Sequence, residues 1–133
     1  MTSNRRELLI DSPEVDNVFT SAVIHRNSYE RNENIIKKHG RIDVLVNNTG
    51  GPKAGFFDEI NDDDWISTFE STFLSAVRLT RAVLPSMRRN KWGRIINISS
   101  VSAKQPIDNL ILSNGVRMSV HGWAKTLSNQ IAS

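Results

Sequence analysis

Residues 41–48 read RIDVLVNN, a short and nearly continuous apolar run that leads directly into TGGPKAG at residues 49–55. An apolar run of this length with β-branched residues is typical of a strand that is covered on both faces, as strands are in a parallel sheet. The segment GRIINISS at residues 93–100 has the same character. The sequence therefore predicts two buried parallel strands, and LLI at residues 8–10 is a candidate for a third.

A helical pattern precedes the first strand. Residues 12–40 begin with Ser12 as a candidate N-cap and Pro13 in the first helical position, and they end in a basic stretch followed by Gly40. Serine caps, an early proline and a terminal glycine are the usual signals of helix boundaries. A helix is therefore predicted over this segment.

Two further helical patterns follow. Asn61 and three aspartates open an amphipathic helix over residues 62–84, which Pro85 is expected to bend or end, and a third helix is predicted over residues 110–132. Helix, strand, helix, strand and helix in this order predict an α/β fold, an incomplete Rossmann-like doubly wound parallel sheet in three layers. A chain of 133 residues is expected to form a single domain.

Composition narrows the class of protein. Apolar residues make up 38% of the chain and charged residues 23%, as in soluble globular proteins, and the chain has no cysteine. The missing thiols exclude disulfides, thiolate catalysis and zinc-thiolate sites, and no metal site is predicted. The N-terminus lacks the apolar core of a signal peptide, and no segment approaches the length of a membrane span. We expect a cytoplasmic protein that does not enter a membrane.

The net charge of +3 reflects a basic segment, RLTRAVLPSMRRNKWGR at residues 78–94. We interpret this segment as a solvated helix face and helix C-terminus, where cations complement the helix dipole. The alternative is nucleic-acid binding, and its candidate residues are Arg88, Arg89, Lys91 and Arg94.

The carboxyl ends of the two predicted strands are the places to look for chemistry, because open parallel sheets bind ligands there. At the first end, the glycine spacing in TGGPKAG matches no phosphate loop, so Asn47 and Asn48 are interpreted as turn residues. At the second end, the hydroxyls of Ser99 and Ser100 are placed to bond a carbonyl oxygen, although serine is also an ordinary turn or cap residue there.

One face of the last predicted helix is polar. Ser113, Arg117, His121 and Lys125 follow one another at spacings of one helical turn. They are either functional groups or simply the polar stripe of a helix whose other face is core.

Together these segments resemble the classical short-chain dehydrogenase/reductase family. GRIDVLVNNTGG, LTRAVLPSMRRNKWGRIINISS and GWAKTLSNQIA are similar to three successive parts of that family, and the similarity runs from about Gly40 to the end of the chain. The resemblance implies a Rossmann-like fold and hydride transfer between NAD or NADP and a small-molecule carbonyl or alcohol substrate.

The resemblance also assigns roles to residues. It places the serine that positions the substrate carbonyl on Ser100, the proton-exchanging tyrosine on Ser113, the lysine beside it on Arg117, and a helix asparagine that orders a water on Thr72. It implies a cofactor cleft lined by Arg117 and by the strand-end residues Asn47, Asn48, Thr49 and Gly50.

The chain departs from the family pattern in its proton-transfer motif. The Ser113 hydroxyl is a far weaker acid than the phenol that it replaces, whose pKa is about 10, whereas Arg117 keeps a positive charge that can bond a ribose or phosphate. His121 is a candidate for proton exchange, the alternative being a packed or solvated histidine. The sole tyrosine, Tyr29, lies outside the similar region.

The glycine-rich cofactor fingerprint, the site that selects between NAD and NADP, and the C-terminal strand of the family are also missing from the sequence. The chain is therefore expected to be a truncated, central portion of such a dehydrogenase. The expected function is an oxidoreductase acting on a 3-oxoacyl or small ketone substrate and assembling as a homo-oligomer. The alternative is a catalytically inactive, dehydrogenase-like module that acts through homo- or hetero-association.

Overall fold

The computed structural model describes residues 18–22, 34, 37 and 40–132. Its chain divides into two compact units. The first, here called the sheet unit, comprises Met1–Thr49 and Ser75–Ile98, and the second, the helix unit, comprises Gly50–Leu74 and Ser99–Ser133.

The sheet unit contains three strands among the described residues: β1 (Val18–Ala22), β2 (Val44–Asn48) and β3 (Arg94–Asn97). They lie in the order β1-β2-β3, and both neighbouring pairs are parallel. The parallel sheet predicted from residues 41–48 and 93–100 is thus confirmed, and with it the α/β, Rossmann-like fold class.

The helix predicted over residues 12–40 is wrong at Val18–Ala22, which form β1. Their sequence, VFTSA, contains β-branched and aromatic residues that suit a pleated strand, and pairing with β2 along the whole strand supplies backbone hydrogen bonds that a local helical pattern does not reveal. Gly40 has a φ of 77°, which fits its predicted role as a helix stop. The LLI segment lies outside the described residues.

Asn34 and Lys37, within the helix predicted over residues 12–40, are helical, and the helices with described bounds are α1 (Asp62–Thr68), α2 (Ser75–Arg89) and α3 (Ile111–Ile131). A π-helical segment occupies Phe69–Leu74, and short 3₁₀ turns occupy Phe57–Glu59 and Val101–Ala103. Asn61 caps α1 as its sequence predicts: its side chain accepts a hydrogen bond from the Asp64 amide, and the Asp64 carboxylate accepts one from the Asn61 amide.

The core cluster of the sheet unit is apolar and is formed by β2, the segment just before it and one face of α2. Leu79, Val83 and Met87 recur every four residues on α2 and cluster with Ile42 and Leu45. This spacing places one side chain per helical turn on the buried face.

Two expectations for the sheet unit need correction. Pro85 does not end its helix, because α2 continues to Arg89; Pro85 lies on the exposed side, where water can bond the carbonyl that lacks an amide partner. Nor is β3 covered on both faces by the described residues, since Ile96 and Ile98 are 46% and 47% exposed.

The helix unit is organised around α3, which confirms the helix predicted over residues 110–132. Leu112, Val116 and Val120 form its buried apolar stripe. Trp65 of α1 packs so closely on Gly115 that a Cβ there would lie 3.2 Å from the indole ring. Within the described residues, no helix is long and apolar enough to cross a bilayer.

Candidate active site

The end of β2 is a buried polar position in the sheet unit. The Asn47 side chain is only 2% exposed and donates from Nδ2 to Oδ1 of Asn97 at 2.8 Å, because the parallel register sets these two residues side by side. The backbone oxygen of Asn47 accepts the amide of Ile98 at 2.8 Å. The Asn47 Oδ1 atom has no hydrogen-bond partner in the described part of the chain. Thr49 is also buried and Asn48 is half-buried.

In the helix unit, Gly50 and Arg117 meet. Gly50 has a φ of 48°, a left-handed conformation that favours glycine, and its carbonyl oxygen accepts a hydrogen bond from the Arg117 guanidinium. Arg117 is only 7% exposed, and this burial lowers the pKa of its guanidinium. An arginine on α3 thus holds the glycine turn by a charge-assisted bond. The two residues that the sequence assigned to cofactor binding in this unit are therefore in contact.

Ser100 begins the 3₁₀ turn Val101–Ala103. Its Oγ accepts a hydrogen bond from the Ser102 amide at 3.2 Å, so it caps the turn that follows β3 in the chain. Ser102 is completely buried, and its hydroxyl lies 2.9 Å from that of Ser113 on α3. Ser113 is itself only 5% exposed. The structure thus links Ser100 to Ser113 through Ser102, and it pairs the Ser113 hydroxyl inside the protein.

A second contact fixes the loop before α3, and sequence reasoning missed it. The Asn114 side chain donates to the Ile107 carbonyl at 2.9 Å and accepts a hydrogen bond from the Ile107 amide at 3.2 Å. A single side-chain amide thus bonds both backbone polar groups of Ile107. Ser102 was missed as well. The usable signal for Ser102 was the SxS spacing, because a serine that bonds the amide two residues later makes a recognisable local turn.

The pair formed by Ser99 and His121 lies at the surface of the helix unit. The Nε2 atom of His121 is 2.7 Å from the Ser99 Oγ, His121 is exposed and Ser99 is half-buried. The sequence placed both residues in candidate segments, but their contact was not predicted. His121 is the one histidine among the residues that the structure describes.

The remaining members of the polar helix face differ in environment. Lys125 is exposed, as a solvated stripe requires. Thr72, the position that the family resemblance assigns to a helix asparagine, is buried within the π-helical segment. Such segments are rare and are often found at functional sites.

The basic residues lie at the C-terminal end of α2, as the sequence analysis expected for positive charges near a helix C-terminus. Arg88 and Arg89 lie in the last turn, and the Arg94 guanidinium stacks on the Trp92 ring at 4.9 Å. Arginine packed on an indole ring is already engaged in a cation–π contact.

These groups suit a nicotinamide dinucleotide chemically. The unpaired Asn47 amide oxygen needs a hydrogen-bond donor, which ribose hydroxyls and a carboxamide supply. The buried Arg117 guanidinium donates to oxygen and carries a positive charge that complements a phosphate.

The comparisons with known proteins agree with these features. A family model described as short chain dehydrogenase matches residues 20–133. A protein of Streptomyces virginiae that carries the name of a monensin polyketide synthase ketoacyl reductase is 36% identical over 99 residues, which are 73% of this chain and 38% of that protein. The 3-oxoacyl-(acyl-carrier-protein) reductase of Salmonella typhimurium is 32% identical over 101 residues, 76% of this chain and 41% of the reductase.

A solved structure gives the same result. YwfH, described as an NADPH-dependent reductase involved in bacilysin biosynthesis, matches with a TM-score of 0.74 and 29% identity over 77% of this chain and 41% of its own. The chain therefore spans about two fifths of the length of the relatives that it matches. With a family model covering most of its residues, the chain belongs to the short-chain dehydrogenase family of oxidoreductases.

Proposed function

We propose that the protein transfers hydride between NAD or NADP and a small-molecule carbonyl or alcohol substrate. The observation that carries this proposal is the contact between the buried Arg117 and the carbonyl of Gly50. It holds a positive group at the turn that directly follows β2 in the chain, and ligands of parallel α/β sheets bind beyond the carboxyl ends of the strands.

Each candidate residue has a role in this proposal. Ser100 bonds the substrate oxygen, and Arg117 bonds the cofactor ribose or a phosphate. Ser113 acts through its hydrogen bond to Ser102, which positions the turn that begins at Ser100. The strand-end residues line the cofactor cleft: Asn47, Asn48, Thr49 and Gly50. The cofactor supplies the hydride when it is bound.

For the substrate, we propose a 3-oxoacyl compound or a small ketone. The support is that two relatives at 36% and 32% identity carry the names of ketoacyl and 3-oxoacyl reductases. Hydride addition to the keto carbon of such a compound leaves an alkoxide, which must then take a proton.

Cofactor binding is the first test. The purified chain should bind NADPH or NADH saturably in a titration followed by nicotinamide fluorescence, and Arg117→Met should abolish that binding because it removes the buried donor. Arg81→Met changes an exposed arginine of α2 and serves as the control. Unchanged binding by the Arg117 variant would remove its proposed role, and no binding of either cofactor by the unaltered chain would overturn the function itself.

Turnover is the second test. Ser100→Ala should reduce the rate of NADPH-dependent ketone reduction while cofactor affinity stays constant, because the serine touches the substrate and not the cofactor. Ser67→Ala, at an exposed position of α1, is the matched control. An unchanged rate in the Ser100 variant would contradict its substrate role.

We further propose that the protein forms homo-oligomers through the apolar surface of its helix unit. Phe57 is 72% exposed and Ile66 is 61% exposed, and both belong to the helix unit, so each is an apolar side chain that association could cover. Native mass measurement should show more than one copy, and Ile66→Asp should shift the population to monomer.

We also infer that both units belong to one Rossmann-like domain, which a single cooperative unfolding transition followed by two probes would support.

A further inference from the structure

The segment that follows β2 in the chain is held at both of its ends within the helix unit. It comprises residues 50–55 and is here called the glycine loop. At its start, the carbonyl oxygen of Gly50 accepts a hydrogen bond from Arg117 on α3. At its end, the amide of the buried Gly55 donates to the carbonyl oxygen of Asn109 at 2.7 Å. The position of the glycine loop therefore depends on α3 at one end and on the segment around Asn109 at the other.

The segment around Asn109 is a closed turn. The Leu110 amide donates to the Ile107 carbonyl at 3.0 Å, and this bond closes a four-residue turn that contains Asn109. Gly55 and Leu110 also form a parallel β-bridge. Because a closed turn moves as one piece, a contact that fixes Ile107 also fixes the carbonyl that receives the Gly55 amide.

Asn114 is the side chain that fixes Ile107. It bonds both backbone polar groups of Ile107, at 2.9 Å and 3.2 Å, and such a paired contact restrains orientation as well as distance. Asn114 lies three residues before Arg117 on α3, and residues at this spacing are neighbours on a helix surface. Two neighbouring side chains of one helix thus hold the two ends of the glycine loop, Arg117 directly and Asn114 through the turn.

The middle of the glycine loop is held less firmly than its ends. A Cβ at Gly51 would meet no other atom within 4 Å, and the exposed Lys53 pairs with Asp64 in an ion pair of a kind that contributes little. At the end of the loop, by contrast, a Cβ at Gly55 would lie 2.9 Å from Cδ1 of Ile60. The anchored ends therefore determine where the loop lies.

We propose that Asn114 is a positioning residue for cofactor binding, an inference that rests on the function proposed above. In that function Gly50 lines the cofactor cleft and Arg117 bonds the ribose or a phosphate. Asn114 does not touch the cofactor in this role; it acts through the turn and the hydrogen bond of Gly55, which set the path of the glycine loop. A loop that is already ordered loses less conformational freedom when a ligand binds. Loosening the loop should therefore weaken cofactor binding.

The alternative is that Asn114 only stabilises the start of α3, in whose first turn it lies. Aspartate would serve that purpose at least as well, because a negative charge near a helix N-terminus is favourable. Aspartate could still accept the hydrogen bond from the Ile107 amide, but an ionised carboxylate has no hydrogen to donate to the Ile107 carbonyl. A helix-stabilising role would therefore survive Asn114→Asp, and the positioning role would not.

The first measurement is hydrogen exchange at the Gly55 amide of the full chain. We expect Asn114→Ala and Asn114→Asp to speed this exchange by roughly fivefold or more, as the loss of one or two hydrogen bonds would, while the amide of Leu45 keeps its protection. Asn129→Ala is the matched control, because it makes the same change at an exposed position of α3. Unchanged exchange at Gly55, or an equal loss of protection at Leu45, would overturn the positioning role.

The second measurement is cofactor affinity, from titration of the same proteins with NADPH and NADH followed by nicotinamide fluorescence. Both Asn114 variants should raise the Kd by roughly fivefold or more, and Asn129→Ala should leave it unchanged. Faster exchange at Gly55 without a change in Kd would overturn the inference. If the unaltered chain binds neither cofactor, the proposed function is wrong and the inference falls with it. If the unaltered chain and every variant bind equally well, only the inference is wrong.

Discussion

Both compact units bury apolar and polar side chains, but they arrange them differently. The cluster in the sheet unit is apolar throughout, with Leu45 and Val83 completely buried. The helix unit buries a string of polar groups beside its apolar stripe: Thr68, Thr72, Ser102, Ser113 and Arg117. Apolar burial is non-directional, whereas a buried hydroxyl or guanidinium is tolerated only when its hydrogen bonds are made. The sheet unit buries polar groups as well, among them Asp43, Asn47 and Thr80, but its core cluster contains none of them, whereas in the helix unit α3 itself carries buried polar residues beside the apolar stripe.

The largest effect should come from the apolar cluster. Leu45→Ala removes a completely buried side chain and should lower the free energy of unfolding by about 2–5 kcal/mol. Ile98→Ala, at a residue of the same unit that is 47% exposed, should change it by no more than about 0.5 kcal/mol. Denaturant unfolding measures both, and similar losses would contradict the assignment of Leu45 to the core.

The hydroxyl pair of the helix unit should show a different kind of response. Ser102→Ala leaves the buried Ser113 hydroxyl without its partner and should cost about 1–3 kcal/mol. Adding Ser113→Ala removes the stranded group, so the double variant should be less destabilised than the sum of the two single changes. A double-mutant cycle measures this coupling, and strict additivity would show that the two hydroxyls do not interact.

Two glycines of α3 allow the effect of an added Cβ to be compared at an open and at a packed position of one helix. Gly122→Ala enters open space and should stabilise the protein by about 0.5–1 kcal/mol, because glycine is a poor helix former. Gly115→Ala places a Cβ 3.2 Å from the Trp65 ring, so this gain should be lost or reversed. Thermal unfolding of both variants is the measurement, and equal stabilisation would show that Trp65 does not pack on the helix there.

The smallest effect concerns the exposed ion pair at the start of α1. The Lys53 ammonium lies 2.9 Å from the Asp64 carboxylate and, with the Asn61 amide, holds the pKa of that carboxyl below its ordinary value. A lowered folded-state pKa contributes stability that is fully present above about pH 4 and is lost as pH falls through the lowered value. In an NMR titration, Lys53→Met should raise the pKa of Asp64. An unchanged pKa would mean that the ion pair does not form in solution.

The sequence predicted those elements whose signals are local. The apolar runs at β2 and β3, the capped start of α1 and the periodic pattern of α3 are all visible in short stretches of the sequence. β1 was missed because VFTSA is short and lies inside a segment with helix boundary signals, and its pairing with β2 is a contact between distant parts of the chain. The continuation of α2 past Pro85 depends on burial of the following turn, which Ser86 and Met87 provide.

The features of the candidate site likewise divide into those that the sequence predicted and those that it did not. Spacing on α3 was enough to nominate Ser113, Arg117 and His121 as one polar face. The hydrogen-bond partners of these residues could not be predicted from the sequence. Ser102, Gly50 and Ser99 lie in loops whose paths are set by tertiary packing. Burial of Arg117 was equally unpredictable, since an arginine on a helix face is ordinarily solvated.

The parallel pairing of β2 with β3 also imposes an order on synthesis of the chain. Asn47 and Asn97 are bonded side by side although 50 positions separate them. At translation rates of about 5–20 residues per second, β2 leaves the ribosome roughly 3–10 s before the strand that completes its second edge. During that interval β2 has only β1 available as a neighbour in the order observed, and its other edge is a template for wrong pairing. A cell that makes this protein therefore has reason to shield the nascent chain until Asn97 has emerged.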